Sequence, residues 1–279
     1  MDNYKSKIGK LLKILNTLSV DVSLGAMACS LFFFKVFTVK TDLISGGTIS
    51  LGVTVWLIYT IDHVLDARRI KSTASTDRHR FHQKNITSIC YVIAVISSIN
   101  FVLLFFLPLR LLENGLWLAV GVVIYLALQK TMYYFKELLA ALLYSAGILI
   151  GSISLASMPF QVDGLLLIVH FTITVFIGLL LFSHFDYSND KQDGQQSFST
   201  LAGEKNTAAT IILLLIVNFI LSTIIAIVST LSISTLIAIP IINFGLLAIL
   251  LGRSYFLLND RYRLVGDALF FIPIVSLWW

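Results

Sequence analysis

The chain has 279 residues, 57% hydrophobic and only 13% charged, where an ordinary soluble domain carries about 25% charge. With 20 phenylalanines and a mean hydropathy of +0.90, a water-soluble globule would leave too much apolar surface in water, which excludes a soluble enzyme, a disordered tail and a disulfide scaffold. A net charge of +5 does not mark a nucleic-acid binder either, because the charges sit mostly in short stretches between apolar runs. Those runs are continuous and lack the alternation of barrel strands, so the expected class is all-α: a polytopic bundle of membrane helices around a central cavity.

In chain order, residues 1–17 form a basic stretch, expected to be retained as an amphipathic segment in the membrane interface. Spans are expected at Leu18–Thr38 and Leu43–Ile61, followed by a long basic loop from Asp62 to Asn85. Four more follow at Ile86–Leu107, Glu113–Gln129, Leu138–Met158 and Leu165–Phe185, then a second long loop from Asp186 to Asn206 rich in carboxylates and amides. The last three are Ala208–Ser229, Ile233–Leu251 and Leu264–Trp279, making nine in one domain. With the N-terminus inside, every lysine and arginine except Lys35, Lys40 and Arg110 lies on the inner side, as the positive-inside rule requires. The orientation is therefore N-in, as in the plasma membrane of a prokaryote, with both long loops cytoplasmic. Cys29 and Cys90 fall in apolar segments without disulfide or metal spacing and read as packing residues.

Loops longer than about 12 residues in compact folds tend to carry function. The first long loop opens on Tyr59 to Arg69, where Asp62 and Asp66 share one helical face; the second opens with Asp186, Asp190 and Asp193 at i, i+4 and i+7, with Asn189 beside them. Like charges at this spacing repel, so the two clusters call for a cation, and oxygen-only ligands suit Mg²⁺. Arg78 and Arg80, with His79 and His82, lie close after the first pair and suit a clamp on diphosphate.

These motifs resemble the UbiA-type intramembrane prenyltransferase superfamily. Asp186, Asp190, Gly194, Thr200, Leu201 and Gly203 match its second Asp-rich motif, with a longer Gly-to-Thr spacing; Asp62 and Asp66 match part of its first. Thr76, Asp77 and Arg78 match a following Thr-x-Arg-Pro, and Lys136 after Tyr133 and Tyr134 matches a basic residue between the fourth and fifth spans. The chain departs where His63 and Ile70 replace acids of the first motif and His79 replaces the proline. The resemblance implies Mg²⁺ held by Asp62, Asp66, Asp186, Asp190 and Asp193, with the first four catalytic. It implies an isoprenyl diphosphate donor bound by Arg78, Arg80, Lys136 and Lys191, and a hydrophobic acceptor that attacks the allylic carbon. Tyr59, Tyr187 and Asn189 would line the cavity and stabilise the developing cation. The alternatives are a non-catalytic homologue, or a transporter using the carboxylates for cations; against the latter, the acids gather at one membrane face and no inverted repeat is visible.

Asp21 and Asp267 are intramembrane acids, Asp267 spaced to pair with Arg263 and Asp21 placed to face the cavity. Glu137 reads as an interfacial charge, and Gly147 with Gly151 as a close helix crossing.

Overall fold

The structure, a computed structural model, describes residues 2–38, 46–129, 131–156 and 162–278; the side chains of residues 2–8 and 278 lie outside the description. Several sequence expectations fall outside the described residues: the second span's start at Leu43, the fifth span's end at Met158, Lys40, Lys130 and Trp279.

Among the described residues there is no strand, and eight helices are long and apolar enough to cross a membrane. The protein is an integral, multi-pass helical membrane protein. After α1 (Asp2–Thr17), Ser19 takes a left-handed conformation (φ 55°) and starts α2 (Val20–Phe37) two residues later than expected. Next come α3 (Gly46–Arg69), the short α4 (Asp77–Lys84), α5 (Ile86–Leu104) and α6 (Leu109–Leu128). Pro108 starts α6 four residues earlier than expected, its carbonyl taking the Leu111 and Leu112 amides. A 3₁₀ turn (Tyr133–Phe135) leads into α7 (Lys136–Leu155), and α8 (Val162–Asp193) follows. The rest are α9 (Phe198–Ala202), α10 (Glu204–Val228), α11 (Ile233–Leu251), α12 (Arg253–Phe256) and α13 (Arg261–Leu269).

The expected ninth span is not one helix. After α13 the chain tightens into i→i+3 bonds, Phe270 to Asp267 and Phe271 to Ala268, and continues as a 3₁₀ segment (Ile272–Trp278) containing Pro273, which has no amide hydrogen to donate. This segment packs between α2 and α11.

The core is built by α2, α7, α8 and α11, where Phe32, Phe33, Phe171, Ile177, Leu180 and Ile242 are buried. α5 and α6 stand outside it and expose Phe101, Phe105, Trp117 and Val123, a surface that suits lipid and not water. Because lipid gives no hydrophobic reason for helices to associate, polar pairs hold several of them. Ser50 of α3 donates to Asn100 of α5 (2.9 Å), Asn114 of α6 to Ser154 of α7 (2.8 Å), and Asn218 of α10 to Thr174 of α8 (2.9 Å). Gly147 and Gly151 do not make the expected close crossing. A Cβ on Gly147 would meet Leu118 and Leu51 only at 3.8 Å, and one on Gly151 would meet nothing within 4 Å.

Candidate functional site

At 32 residues α8 is about 48 Å long, against a hydrocarbon layer of about 30 Å. Its last turns therefore project past the apolar layer and carry Asp186, Asp190 and Asp193. Gly194 (φ 67°) ends it; Ser197 and Thr200 form a capping box for α9, and Gly203 (φ 86°) turns the chain into α10. The C-terminal end of α3 carries Tyr59, Asp62, His63 and Asp66.

The two long loops dock on one another. Ser75 donates to Asp193 from its backbone amide (3.0 Å to Oδ1) and its hydroxyl (2.8 Å to Oδ2), and Gln195 Nε2 reaches the Asp66 carbonyl at 3.5 Å. Asp193 is thus spent on joining the loops, with Asn189 beside it accepting from Ser75 through its carbonyl (3.4 Å).

Four carboxylates act electrostatically on one lysine. Asp62 Oδ1 accepts from Gln129 Nε2 (3.0 Å) and Asp66 Oδ1 from Arg69 Nη1 (3.0 Å), which leaves each a second oxygen without a hydrogen-bond partner among the described residues. The Lys136 ammonium, at the start of α7, lies in the electrostatic field of Asp66, Asp62, Glu137 and Asp190, carboxylates of α3, α7 and α8. Asp190 lies in the field of Asp186, Arg263 and Lys136. Asp186 is buried and already neutralised: Tyr262 donates to Oδ1 and Arg263 to Oδ2.

Arg78 turns inward, Nη2 donating to Asn16 Oδ1 (3.1 Å) and Nη1 lying 3.2 Å from His63 Nε2. Arg80 turns away from the carboxylates. It pairs with Asp77 and donates to the Ala74 and Ser75 carbonyls (3.0 and 2.9 Å), holding the loop. Lys191 is exposed over the Tyr187 ring at 5.7 Å. The structure therefore gathers Asp62, Asp66, Asp186, Asp190, Lys136, Arg78 and Tyr59. Asp193 and Asn189 lie at the loop interface, and Arg80, Lys191 and Tyr187 lie toward the surface.

Below this charged layer is a small cavity lined by Tyr59, Tyr144, Val175, Phe182, Asp267 and Phe270 among others. Asp267 is not paired with Arg263, which is engaged by Asp186; instead Asn16 Nδ2 bridges Asp267 (2.9 Å) and Asp21 (2.6 Å). Glu137 is no interfacial charge either: it is buried and accepts the Phe198 amide at the start of α9 (2.7 Å). Sequence reasoning missed Tyr262, Gln129, Asn16 and Tyr144, and it gave Arg263 to Asp267 where the structure gives it to Asp186. For Arg263 the only signal was a cation at the inner end of the last apolar stretch.

Burial and the nearby Arg263 and Arg78 guanidinium groups push His79 down to about 4, against the opposing pull of Asp186 and Asp193. Its 4.0 Å approach to Asp193 is therefore not an ion pair near neutrality. A histidine whose folded value lies below its unfolded value of about 6.5 stabilises the fold fully above that pH and loses the contribution as pH falls toward 4. Melting curves between pH 7.5 and 4 should show a larger loss in the wild type than in His79→Gln; superimposable profiles would remove His79 as the cause.

Among the described residues no three His, Cys, Asp or Glu are gathered tightly enough to hold a metal alone. Mg²⁺ rarely needs such a cage: it keeps waters and is held by one or two carboxylates plus substrate phosphates. The free oxygens of Asp62 and Asp66, with Asp190 opposite, fit that pattern; Asp186, with both oxygens engaged, does not offer a second ready site.

By sequence, no protein-family model and no curated protein matches the chain. By structure it is similar to a UbiA homologue from Archaeoglobus fulgidus bound to DMAPP and Mg²⁺ (11% identity, 94% of this chain and 98% of that one covered, TM-score 0.66). It is similar also to the apo UbiA homologue of Aeropyrum pernix K1 (11%, 93% and 96%, 0.67). A digeranylgeranylglyceryl phosphate synthase aligns at 16% identity over 96% of this chain and 99% of that one, with a TM-score of 0.55. The chain has the fold of the UbiA-type intramembrane prenyltransferases.

Proposed function

We propose that the protein transfers an isoprenyl group from an isoprenyl diphosphate to a lipophilic acceptor within the membrane, assisted by Mg²⁺. The observation that carries this reading is the Lys136 ammonium in the field of Asp62, Asp66 and Asp190 from two helix ends, with an aromatic-lined cavity that begins at Tyr59, about one helical turn before Asp62 on α3. Fold likeness to UbiA homologues, one of them bound to DMAPP and Mg²⁺, supports it.

In this reading Asp62, Asp66 and Asp190 hold Mg²⁺ together with the donor diphosphate. The bound ion supplies positive charge to the leaving diphosphate as its negative charge grows. Lys136 lies where it adds to that charge, and Arg78, fixed by Asn16 and His63, faces the same region from the first loop. The apolar donor tail leaves the charged layer between helices. The Tyr59 and Tyr144 rings stand beside the allylic carbon, stabilise its developing charge and keep water away. The membrane is cytoplasmic in a prokaryote, with α1 on its inner surface; Leu11, Leu12 and Ile14 are exposed there, as an interfacial helix requires.

One observation favours the alternative of a non-catalytic homologue: Asp186, an acid of the second motif, is closed off by Arg263 and Tyr262. Protein in lipid nanodiscs, incubated with Mg²⁺, a set of isoprenyl diphosphates and a membrane lipid extract, separates the two. Prenylated lipid with matching diphosphate release is expected. Donor binding without product would support the non-catalytic homologue.

A further inference from the structure

The charged layer and the cavity are in register along three helices. Tyr59 precedes Asp62 by three residues on α3, Phe182 precedes Asp186 by four on α8, and Asp267 follows Arg263 by four on α13. Each step is about one helical turn, or roughly 5–6 Å. A group bound in the cavity therefore sits one turn below the diphosphate site, where the allylic carbon of a donor would lie.

Asp267 lines this cavity and is 8% exposed. Its Oδ2 accepts from Asn16, while Oδ1 has no hydrogen-bond partner among the described residues. The Tyr59 and Tyr144 hydroxyls also have no hydrogen-bond partner among the described residues, and both rings lie in the field of Asp267 and Asp21. The charges at this wall are two carboxylates, Asp21 and Asp267, sharing one Asn16 amide, against the single Arg78 guanidinium on the other side of Asn16. Arg263 is engaged by Asp186. Left over are one hydrogen-bond acceptor, two hydroxyls and an excess of negative charge in an aromatic pocket. Such a wall binds a neutral donor group and repels an anion, because a buried carboxylate facing another without a cation is strongly disfavoured.

We propose that Asp267, Tyr59 and Tyr144 form the acceptor subsite, and that it selects an acceptor whose reacting head is an un-ionised hydroxyl, alcoholic or phenolic, on an apolar body. This rests on the transfer reading given above. The acceptor hydroxyl donates to Asp267 Oδ1. On transfer its oxygen gives an electron pair to the allylic carbon, forming a C–O bond. The bond from that carbon to the diphosphate oxygen breaks, its electron pair leaving on the diphosphate, and the hydroxyl proton passes to the Asp267 carboxylate. Carboxylate-bearing acceptors of the same shape are rejected.

Binding of 4-pentylphenol and of 4-pentylbenzoate to the full-length protein in nanodiscs at pH 8, without any donor, tests the subsite. The phenol is expected to bind at least about tenfold more tightly. In Asp267→Asn, which keeps an acceptor oxygen but removes the charge, the ratio should fall to within about twofold, chiefly because the benzoate binds better. Tyr144→Phe should weaken the phenol several-fold while leaving the melting temperature unchanged, which covers the case in which Asp267→Asn fails to fold. Equal binding of the two probes by the wild type, or a ratio unaffected by both substitutions, would overturn the proposal. The two readings fail separately. Discrimination between probes with no product from any donor leaves the subsite standing and sinks transfer. Transfer to carboxylate acceptors that ignores Asp267→Asn sinks the subsite and leaves transfer standing.

Discussion

Replacing Asp66 or Asp190 by alanine should lower isoprenyl transfer by roughly 10²–10³-fold, the cost of removing one preorganised electrostatic group from a charge-developing step. Neither carboxylate is held in a buried ion pair, and Asp190 takes one hydrogen bond from Ser197. Asp66 gives one oxygen to Arg69, a partly exposed i,i+3 pair of the kind that contributes little to stability. Asp190 stands beside Asp186, and removing one of two crowded acids relieves repulsion. The variants should therefore melt at or above the wild-type temperature in metal-free buffer while forming product only at that reduced rate. Near-normal product from either variant would show that its carboxylate does not hold the diphosphate site together.

The largest effect on stability is expected at Arg263. Its guanidinium and Asp186 are 17% and 8% exposed, and the pair joins α13 to α8. Arg263→Leu strands a buried carboxylate with Tyr262 as its one remaining donor, and breaking a buried pair from one side costs about 3–5 kcal/mol. Asp186→Asn in the same chain should restore most of that loss, because the stranded charge is gone. Denaturation of the two single variants and the double variant in detergent gives the coupling directly. A loss below about 1 kcal/mol in Arg263→Leu would mean that the pair is solvated and holds nothing. The same pair explains why the second motif does not present two free acids: one of them already has a cation of its own.

The sequence reveals the helical class and the eight long spans well because lipid imposes a continuous apolar run on each. It reveals the pairing of the two Asp-bearing loops because charge asymmetry fixes which loops share a side. Individual side-chain partners are another matter. Arg263 sits one turn from Asp267, so spacing alone suggests a pair within α13; tertiary packing brings it to Asp186 on α8 instead. Glu137 is adjacent to Lys136 and reads as a surface charge, yet it takes an amide of α9 that is distant in sequence. Asp193 continues the i, i+4, i+7 face of Asp186 and Asp190, but helical periodicity carries no record of Ser75, which claims it. The last apolar stretch reads as a span by hydropathy, while Pro273 and the packing between α2 and α11 make it a short helix and a 3₁₀ segment.

The central claim is that the two Asp-bearing helix ends form one Mg²⁺-dependent diphosphate site. With His63 and Ile70 in place of two acids, and with Asp186 occupied, few carboxylates remain to hold the ion before substrate arrives. Mg²⁺ dehydrates reluctantly, so diphosphate oxygens must complete its shell. Calorimetric titration of Mg²⁺ into the protein, with and without a non-hydrolysable isoprenyl diphosphate, measures this most directly. Weak binding alone and binding at least about tenfold tighter with the diphosphate are expected, with the same factor when the titration is reversed, as linkage demands. Equal Mg²⁺ affinity in both titrations would contradict the account.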